Sequence, residues 1–497
     1  MSDITPGEQV DSRAHTNFLA KLAANETTEA TVFTDQDVMI DHLNTIGAVL
    51  LKGNDLRIVV WGRDGEPIFL RESQAKAWLA KYKVEIGEAE KAKLIPAYGV
   101  WIGSARRREY TRLIFNPNPA TRHDGDLELF TGLAVTPGSG DWSLLRTHVF
   151  ENICQHNEET FLFLMHWMAQ LMQQPWRKSG VCIVLRGKMG TGKSKLSDWL
   201  GYIVGDNYSP VIDCPEHITG RFNGHLETAL LIRVEEGFYP GRPADKARLK
   251  HLITSAKINI ERKNLDSYTA NSYARVIITS NSDWVVAAAL GERRYLFLDV
   301  GDAHAKDGPY FKAIDAQMAS GGAEAMLHDL LAMDLSTVDF SKPPITDGLV
   351  DQMRQDFSAE EKWLESILIE GRIPFKAGAP ADDYISQVEW TSGGLEIVKD
   401  TLLASFRDFV PGFRAPPTSQ VLGAKLAKHV PGLKQSKRVA GVGGARVPIY
   451  ILPPLAEIRA AFLANNPGYA FPATVEDEAD APARVVEFPA WRAGRGA

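Results

Sequence analysis

The sequence predicts an α/β fold, a largely parallel sheet flanked by helices, on three observations. Short continuous apolar runs recur at Val181–Leu185, Ala229–Ile232, Ala274–Thr279 and Arg294–Leu298, the pattern of strands buried on both faces. Helical patterns separate some of these runs, the alternation that goes with parallel pairing. Between the first run and a helix expected at about 193–204 lies a glycine-rich turn, Gly187-Lys188-Met189-Gly190-Thr191-Gly192-Lys193-Ser194.

Around this core the chain divides into further segments. Residues 1–30 are polar without hydrophobic period and read as a disordered lead. Residues 31–140 read as a small α+β domain: strands at Ala48–Leu51 and Leu56–Trp61 about a hairpin turn, a helix at 72–82, and a basic cluster, Arg106-Arg107-Arg108. A helical block opens the 141–303 core; within it Glu158–Gln174 is apolar on nearly every face and is expected to be a buried helix. The span 304–390 reads as a helical connector, with helices at 309–334 and 346–371 and a loop at 376–387. In 391–465, helices at 397–409 and 418–430 precede two strands joined by Gly441–Gly444, the order of a winged helix. The tail, 466–497, is acidic and sparse in core residues, and is expected to be disordered.

Composition excludes some classes. Hydrophobic content of 44% and charged content of 24% suit a soluble globular protein. No apolar stretch is long enough for a membrane helix, and the N-terminus lacks a basic start and apolar core, so neither a membrane partner nor a secretory signal is expected. Cys154, Cys182 and Cys214 form no CxxC pair, which points to a reducing cytoplasm and no zinc site. A net charge of −7 argues against wholesale coating of nucleic acid but leaves room for a local basic channel.

The glycine-rich turn has the form GxxxxGK[ST]. Backbone N–H groups wrap nucleotide phosphates only where small residues leave φ free, so Gly187 to Ser194 would cradle ATP. Lys193 would reach the β- and γ-phosphates and the Ser194 hydroxyl would ligate Mg²⁺. After a further apolar run come Glu235 and Glu236. One carboxylate would hold the metal shell and the other polarise the attacking water, although paired glutamates alone more often mark a solvated helix start. The run ending in Ser280-Asn281 places an amide at a strand's end, suited to the γ-phosphate or the lytic water; alone, Ser-Asn is a turn signal. Arg293 and Arg294 precede the next run, and would stabilise transferred-phosphoryl charge from within the chain or across a subunit boundary, if they are not an ordinary surface pair.

Taken in order, these features resemble the superfamily 3 helicases of the AAA+ class, most closely the helicase domain of phage and plasmid primase-helicases. The resemblance covers about 150–303 and includes His217–Gly224 and the lysine-bearing segment from Leu249 to Lys263. It implies an AAA+ P-loop NTPase core using ATP and Mg²⁺, with Lys193, Glu235, Glu236, Asn281, Arg293 and Arg294 catalytic and Ser194 and Glu235 on the metal. It also implies that Lys263, beside Arg262, sits on a hairpin in a ring's central channel and touches DNA. A homo-hexamer moving on single-stranded and forked DNA in the cytoplasm of a bacterial host is the corresponding expectation. Glu235 departs from the aspartate usual in relatives. The resemblance extends weakly to both flanks, and because the segment before residue 141 leaves no room for a primase-polymerase domain, a primase or polymerase is expected on a separate chain. Lys425, Lys428, Lys434, Lys437 and Arg438 give the C-terminal segment a basic surface, suited to duplex phosphates or simply solvated. Two alternatives stay open: a P-loop ATPase acting as a regulatory or defence switch, and a packaging-type motor without unwinding.

Overall fold

The computed structural model describes residues 30–471, except 53–54, 62–66, 88–91, 215, 221–222, 236–242, 262–266, 287–291, 377–384, 391–393, 411–417, 441–444, 467–468 and 470. The expected disordered lead and most of the tail fall outside the described residues.

Five parallel strands form the central sheet: β1 (Cys182–Arg186), β2 (Val211–Ile212), β3 (Leu231–Glu235), β4 (Arg275–Ser280) and β5 (Tyr295–Asp299). Their order across the sheet is β2-β3-β4-β1-β5. β1 is central, with Ile183 opposite Ile277 of β4 on one side and Leu296 of β5 on the other. Burial on both faces explains why these runs carry no polar alternation: Ile183, Val184, Leu185, Ile277 and Phe297 are all fully buried.

One face of the sheet is covered by the helix Glu158–Gln173, started by Asn157, whose side chain accepts from the Thr160 N–H. Trp167 of this helix is fully buried and donates its indole N–H to the Val181 carbonyl at 2.9 Å, tying the helix to the start of β1. The helix Lys193–Val204 packs in the same core through Leu196, Leu200 and Ile203. On the other face, the helix Pro243–Thr254 leads into an antiparallel hairpin, Lys257–Ile260 with Tyr268–Asn271.

The expected helix at 309–334 is broken. Gly308–Gln317 and Ala323–Ala332 are joined by a kinked turn in which Gly321 takes φ +100°. The expected helix at 346–371 also divides, into Asp347–Asp356 and Ala359–Glu370. Ser358 is the reason: its hydroxyl accepts from the Glu361 N–H while the Glu361 carboxylate accepts from the Ser358 N–H, a reciprocal cap that starts a new helix.

From Phe357 onward a separate apolar core begins, gathering Trp363, Leu368, Trp390, Ile397, Phe406, Leu426, Tyr450 and Phe462. Two expectations change here. Part of the loop expected at 376–387 is strand, because Arg372–Lys376 pairs antiparallel with Ile385–Glu389. The helix expected from Ile397 starts instead at Lys399, since Leu395–Val398 pairs with Ile449–Leu452 and buries Ile397. The strands Leu395–Val398, Ala445–Leu452 and Lys434–Ala440 lie in that order in one antiparallel sheet, beside helices Lys399–Phe409 and Ser419–His429.

The N-terminal segment has its own core around Met39, Leu43, Val49, Ile58 and Trp101. Gly47–Lys52 and Asp55–Trp61 form the expected hairpin, but the helix expected at 72–82 stops at Trp78, because Tyr82 begins a strand pairing with Lys93–Pro96. The basic cluster is largely paired internally: Arg106 meets Asp37 and Asp41 at 2.6 and 2.7 Å, and Arg107 meets Glu109 at 2.9 Å. Among the described residues no helix is long and apolar enough to cross a membrane.

Candidate phosphate-binding site

Parallel strands place their C-terminal ends along one edge, and the site is built there. β1 ends at Arg186, and Gly187 to Gly192 turn the chain into the helix that begins at Lys193. Gly190 and Gly192 take φ +81° and +85°, conformations that a side chain would strain. The loop closes on itself through the Thr191 hydroxyl, which donates to the Lys188 carbonyl at 3.0 Å. At the helix N-terminus the backbone N–H groups and the helix dipole favour an anion.

Lys193 is 7% exposed, and its ammonium donates to the carbonyls of Gly187 and Lys188 and to Asn281 Oδ1, each at 2.7 Å. An ammonium so placed can exchange loop carbonyls for phosphate oxygens at little cost in position. Asn281 lies just beyond the end of β4, next to β1; Glu235 ends β3, one strand further out. Lys193, Ser194, Glu235, Thr279 and Asn281 line one cavity of about 310 Å³, with Phe311 on its wall. Ser194 and Glu235, both lining this cavity, carry hard oxygen donors, the kind of donor set that suits Mg²⁺. A larger cleft of about 640 Å³ shares Asn281 but is a salt-bridged seam: Arg186 grips Asp299 at 2.6 Å and Lys188 meets Asp302 at 2.7 Å along it.

Two expected residues are not brought to this site. The Arg294 carbonyl accepts from the Cys182 N–H, so Arg293 and Arg294 lie at the start of β5, beside the start of β1. The phosphate loop is at the other end of the same strand, roughly 16 Å away at ~3.3 Å per residue. Within one chain they therefore do not reach the loop. Glu236, Arg262 and Lys263 lie outside the described residues; the strands flanking the last two are those of the hairpin Lys257–Asn271.

The loop is braced by residues that carry no motif. Asn152, on a wide helical turn at His148–Ile153, donates to the Thr191 carbonyl at 3.0 Å. Lys306 N–H donates to the Gly190 carbonyl at 2.9 Å. The His148 ring stands 3.4 Å from the Gly192 carbonyl and 3.2 Å from the Tyr310 hydroxyl, and Tyr310 stacks on His304 with centroids 3.7 Å apart. Only the helical character of the 141–157 segment was visible beforehand, with no sign that it touches the loop.

Burial lowers the His148 pKa from 6.5 to about 4, so the folded chain holds this ring neutral. Because the folded value is the lower one, the unfolded chain binds the extra proton between these limits. The stability due to a neutral His148 is therefore present above pH 6.5 and lost as pH falls toward 4, by roughly 3 kcal/mol. Denaturant unfolding of the wild type between pH 7 and 4.5 should show this loss, and His148→Gln should flatten that part of the profile. An unchanged acid limb in the variant would rule His148 out as its cause.

A parallel α/β sheet with a phosphate-type loop at its C-terminal edge is thus the class that fold and site define. A family of unknown function, DUF5906, matches residues 185–294, the stretch from the end of β1 to the arginine pair. The chain is homologous to the DNA primase-polymerase of Nitratiruptor phage NrS-1, with 29% identity over 147 residues, which is 29% of this chain and 20% of that protein. The chain thus matches about a fifth of the length of this curated relative. Its fold is similar to the apo structure of the NrS-1 C-terminal region (305–718), with TM-score 0.60 and 15% identity, covering 84% of this chain and 100% of that one. An A-form apo structure of the same region gives TM-score 0.60 over 83% of this chain.

Proposed function

We propose that the chain is an ATP-hydrolysing motor of the AAA+ class, of the superfamily 3 helicase type, acting on DNA in the replication of a phage or plasmid. The observation that carries this reading is the contact between Lys193 and Asn281 across one cavity with Ser194 and Glu235. Phosphoryl transfer to water needs little covalent help from a protein; it needs the phosphates held, a metal bridged and a water oriented. Here the loop N–H groups and Lys193 would hold the phosphates, while Ser194 and Glu235 would hold Mg²⁺, which when bound neutralises developing charge. Asn281 would orient the water, with Glu236 as the second carboxylate. The distance between the arginine pair and the loop favours a ring, homo-hexameric in our reading, in which Arg293 or Arg294 serves the neighbouring subunit's phosphate.

DNA is supported as the track by the phage primase-polymerase relative; we read the C-terminal unit, two helices beside a three-stranded antiparallel sheet, as a winged helix suited to duplex DNA. Lys428, Lys434 and Lys437 are exposed there, whereas Lys425 is tied to Glu360. By the resemblance to superfamily 3 helicases, Lys263, beside Arg262, would sit in the channel and touch DNA. We place the protein in the bacterial host's cytoplasm.

A second reading, nucleotidyl transfer, is favoured by the relative's name. Purified chain with ATP, Mg²⁺ and a forked duplex separates the two. Phosphate release stimulated by single strands, with strand displacement, supports the motor; primer extension from dNTPs without ATP hydrolysis overturns it. ATP hydrolysis indifferent to DNA would leave a regulatory switch. Glu235→Gln is expected to cut kcat about 100-fold while ATP binding, followed by titration calorimetry, stays within about threefold. Equal loss of binding would remove Glu235 from the chemical step.

A further inference from the structure

Glu292 has a side chain only 1% exposed, and its two oxygens are divided between cations on different elements. Oε1 accepts from Arg294 Nη1 at 2.9 Å and from the Arg294 N–H at 3.1 Å. Oε2 faces Lys250 Nζ at 3.0 Å. Lys250 belongs to the helix Pro243–Thr254, which runs directly into the hairpin Lys257–Asn271. Between Glu292 and Arg294 stands Arg293, exposed and without a hydrogen bond or ion pair among the described residues.

A buried carboxylate is tolerated only when it is paired, so Arg294 and Lys250 are held where Glu292 puts them. Arg294 is held to Glu292 through its Nη1 and through its backbone N–H, which turns it toward its own subunit rather than toward a neighbouring molecule. We propose that Glu292 is a positioning residue with two effects. It retains Arg294 as a strut in its own subunit, which leaves Arg293 as the arginine presented to the neighbour's phosphate. It also fastens the arginine loop to the helix bearing the hairpin, so that a strand of nucleic acid displacing the hairpin moves Arg293. The proposal rests on the ring-motor reading and specifies how DNA occupancy is passed to the hydrolytic site.

The test is steady-state ATP hydrolysis by the full chain with and without oligo-dT, for wild type, Arg293→Ala, Arg294→Ala, Glu292→Gln and Lys250→Met. Arg293→Ala should lose hydrolysis by about 100-fold or more. Mixing it with Lys193→Ala should restore activity, since each chain then supplies what the other lacks. Arg294→Ala, Glu292→Gln and Lys250→Met should hydrolyse at rates well above Arg293→Ala. In them the ratio of DNA-stimulated to unstimulated rate should fall toward one, with KM for ATP within about twofold of wild type. A purely structural role would lower all rates together and leave that ratio alone. Lys250 is partly exposed, so Lys250→Met reports on the link even if Glu292→Gln fails to fold. A stimulation ratio that survives in Lys250→Met, or an Arg294→Ala protein as inactive as Arg293→Ala, overturns the proposal while leaving the motor reading intact. A wild type without ATP hydrolysis overturns both.

Discussion

Replacing Lys193 with alanine is expected to lower ATP hydrolysis by about three orders of magnitude, or roughly 4 kcal/mol of transition-state stabilisation. Among the described residues, two lysines line the cavity shared by Ser194, Glu235 and Asn281; Lys195 is paired with Asp315 at 2.6 Å, whereas the buried Lys193 reaches across to Asn281. Buried charge acts strongly because little water screens it. Alanine also deprives the Gly187 and Lys188 carbonyls and Asn281 of a donor, so the loop loses its internal brace. Arginine at the same position keeps the charge but not the size, and is not expected to rescue. The measurement is phosphate release at saturating ATP, with thermal unfolding as a check that the variant is folded. A folded Lys193→Ala protein that hydrolyses ATP within tenfold of wild type would disprove the assignment of the site.

Gly192→Ala is expected to weaken ATP binding by roughly 100-fold through two separate penalties. The residue sits at φ +85°, which costs an L-side chain about 1–2 kcal/mol. A Cβ built there would also stand 2.4 Å from Phe311 Cε1 and 2.8 Å from the His148 ring, where real atoms do not approach. Overpacking of this kind costs about 1–3 kcal/mol and is relieved by moving the loop, which displaces the N–H groups from the phosphates. The two penalties separate experimentally. Adding Phe311→Ala removes the ring clash and leaves the backbone strain, so the double variant should recover part, not all, of the affinity. Wild-type binding by Gly192→Ala in titration calorimetry would mean that the loop does not hold phosphate in this conformation.

The strands of the central sheet were legible because burial on both faces leaves a plain run of apolar residues, as in Cys182–Leu185. The loop was legible because its chemistry is local, a matter of glycine and lysine spacing. Strand order was not, since nothing in Arg275–Ser280 says that it will insert between β1 and β3 and so carry Asn281 to Lys193. The fate of the arginine pair was hidden for the same reason: a glutamate next to two arginines gives no hint that it will be buried and grip one of them. Breaks at Phe357-Ser358 and at Gly321 were overridden by hydrophobic period, which runs on smoothly through a cap or a kink. The strand Leu395–Val398 was lost to the helix that follows because a strand that short has no period of its own. Lys263 and Arg262 remain expectations from resemblance, and Glu236 one from its place after an apolar run.

The bracing of the phosphate loop sets the smallest excisable piece of this protein. Every motif lies between Gly187 and Arg294, which invites cutting the chain to that length. Such a fragment would discard Asn152 and His148 on one side and Lys306 on the other, the residues that hold the Thr191, Gly192 and Gly190 carbonyls. It would also remove β1 and β5 from the sheet, laying bare the fully buried Ile277 of β4, which pairs with Ile183 of β1. Autonomy therefore belongs to a longer unit, opening before the turn at His148 and closing after the helix Ala323–Ala332, and a truncated sequence with all its signature residues intact would still be an unfinished fold.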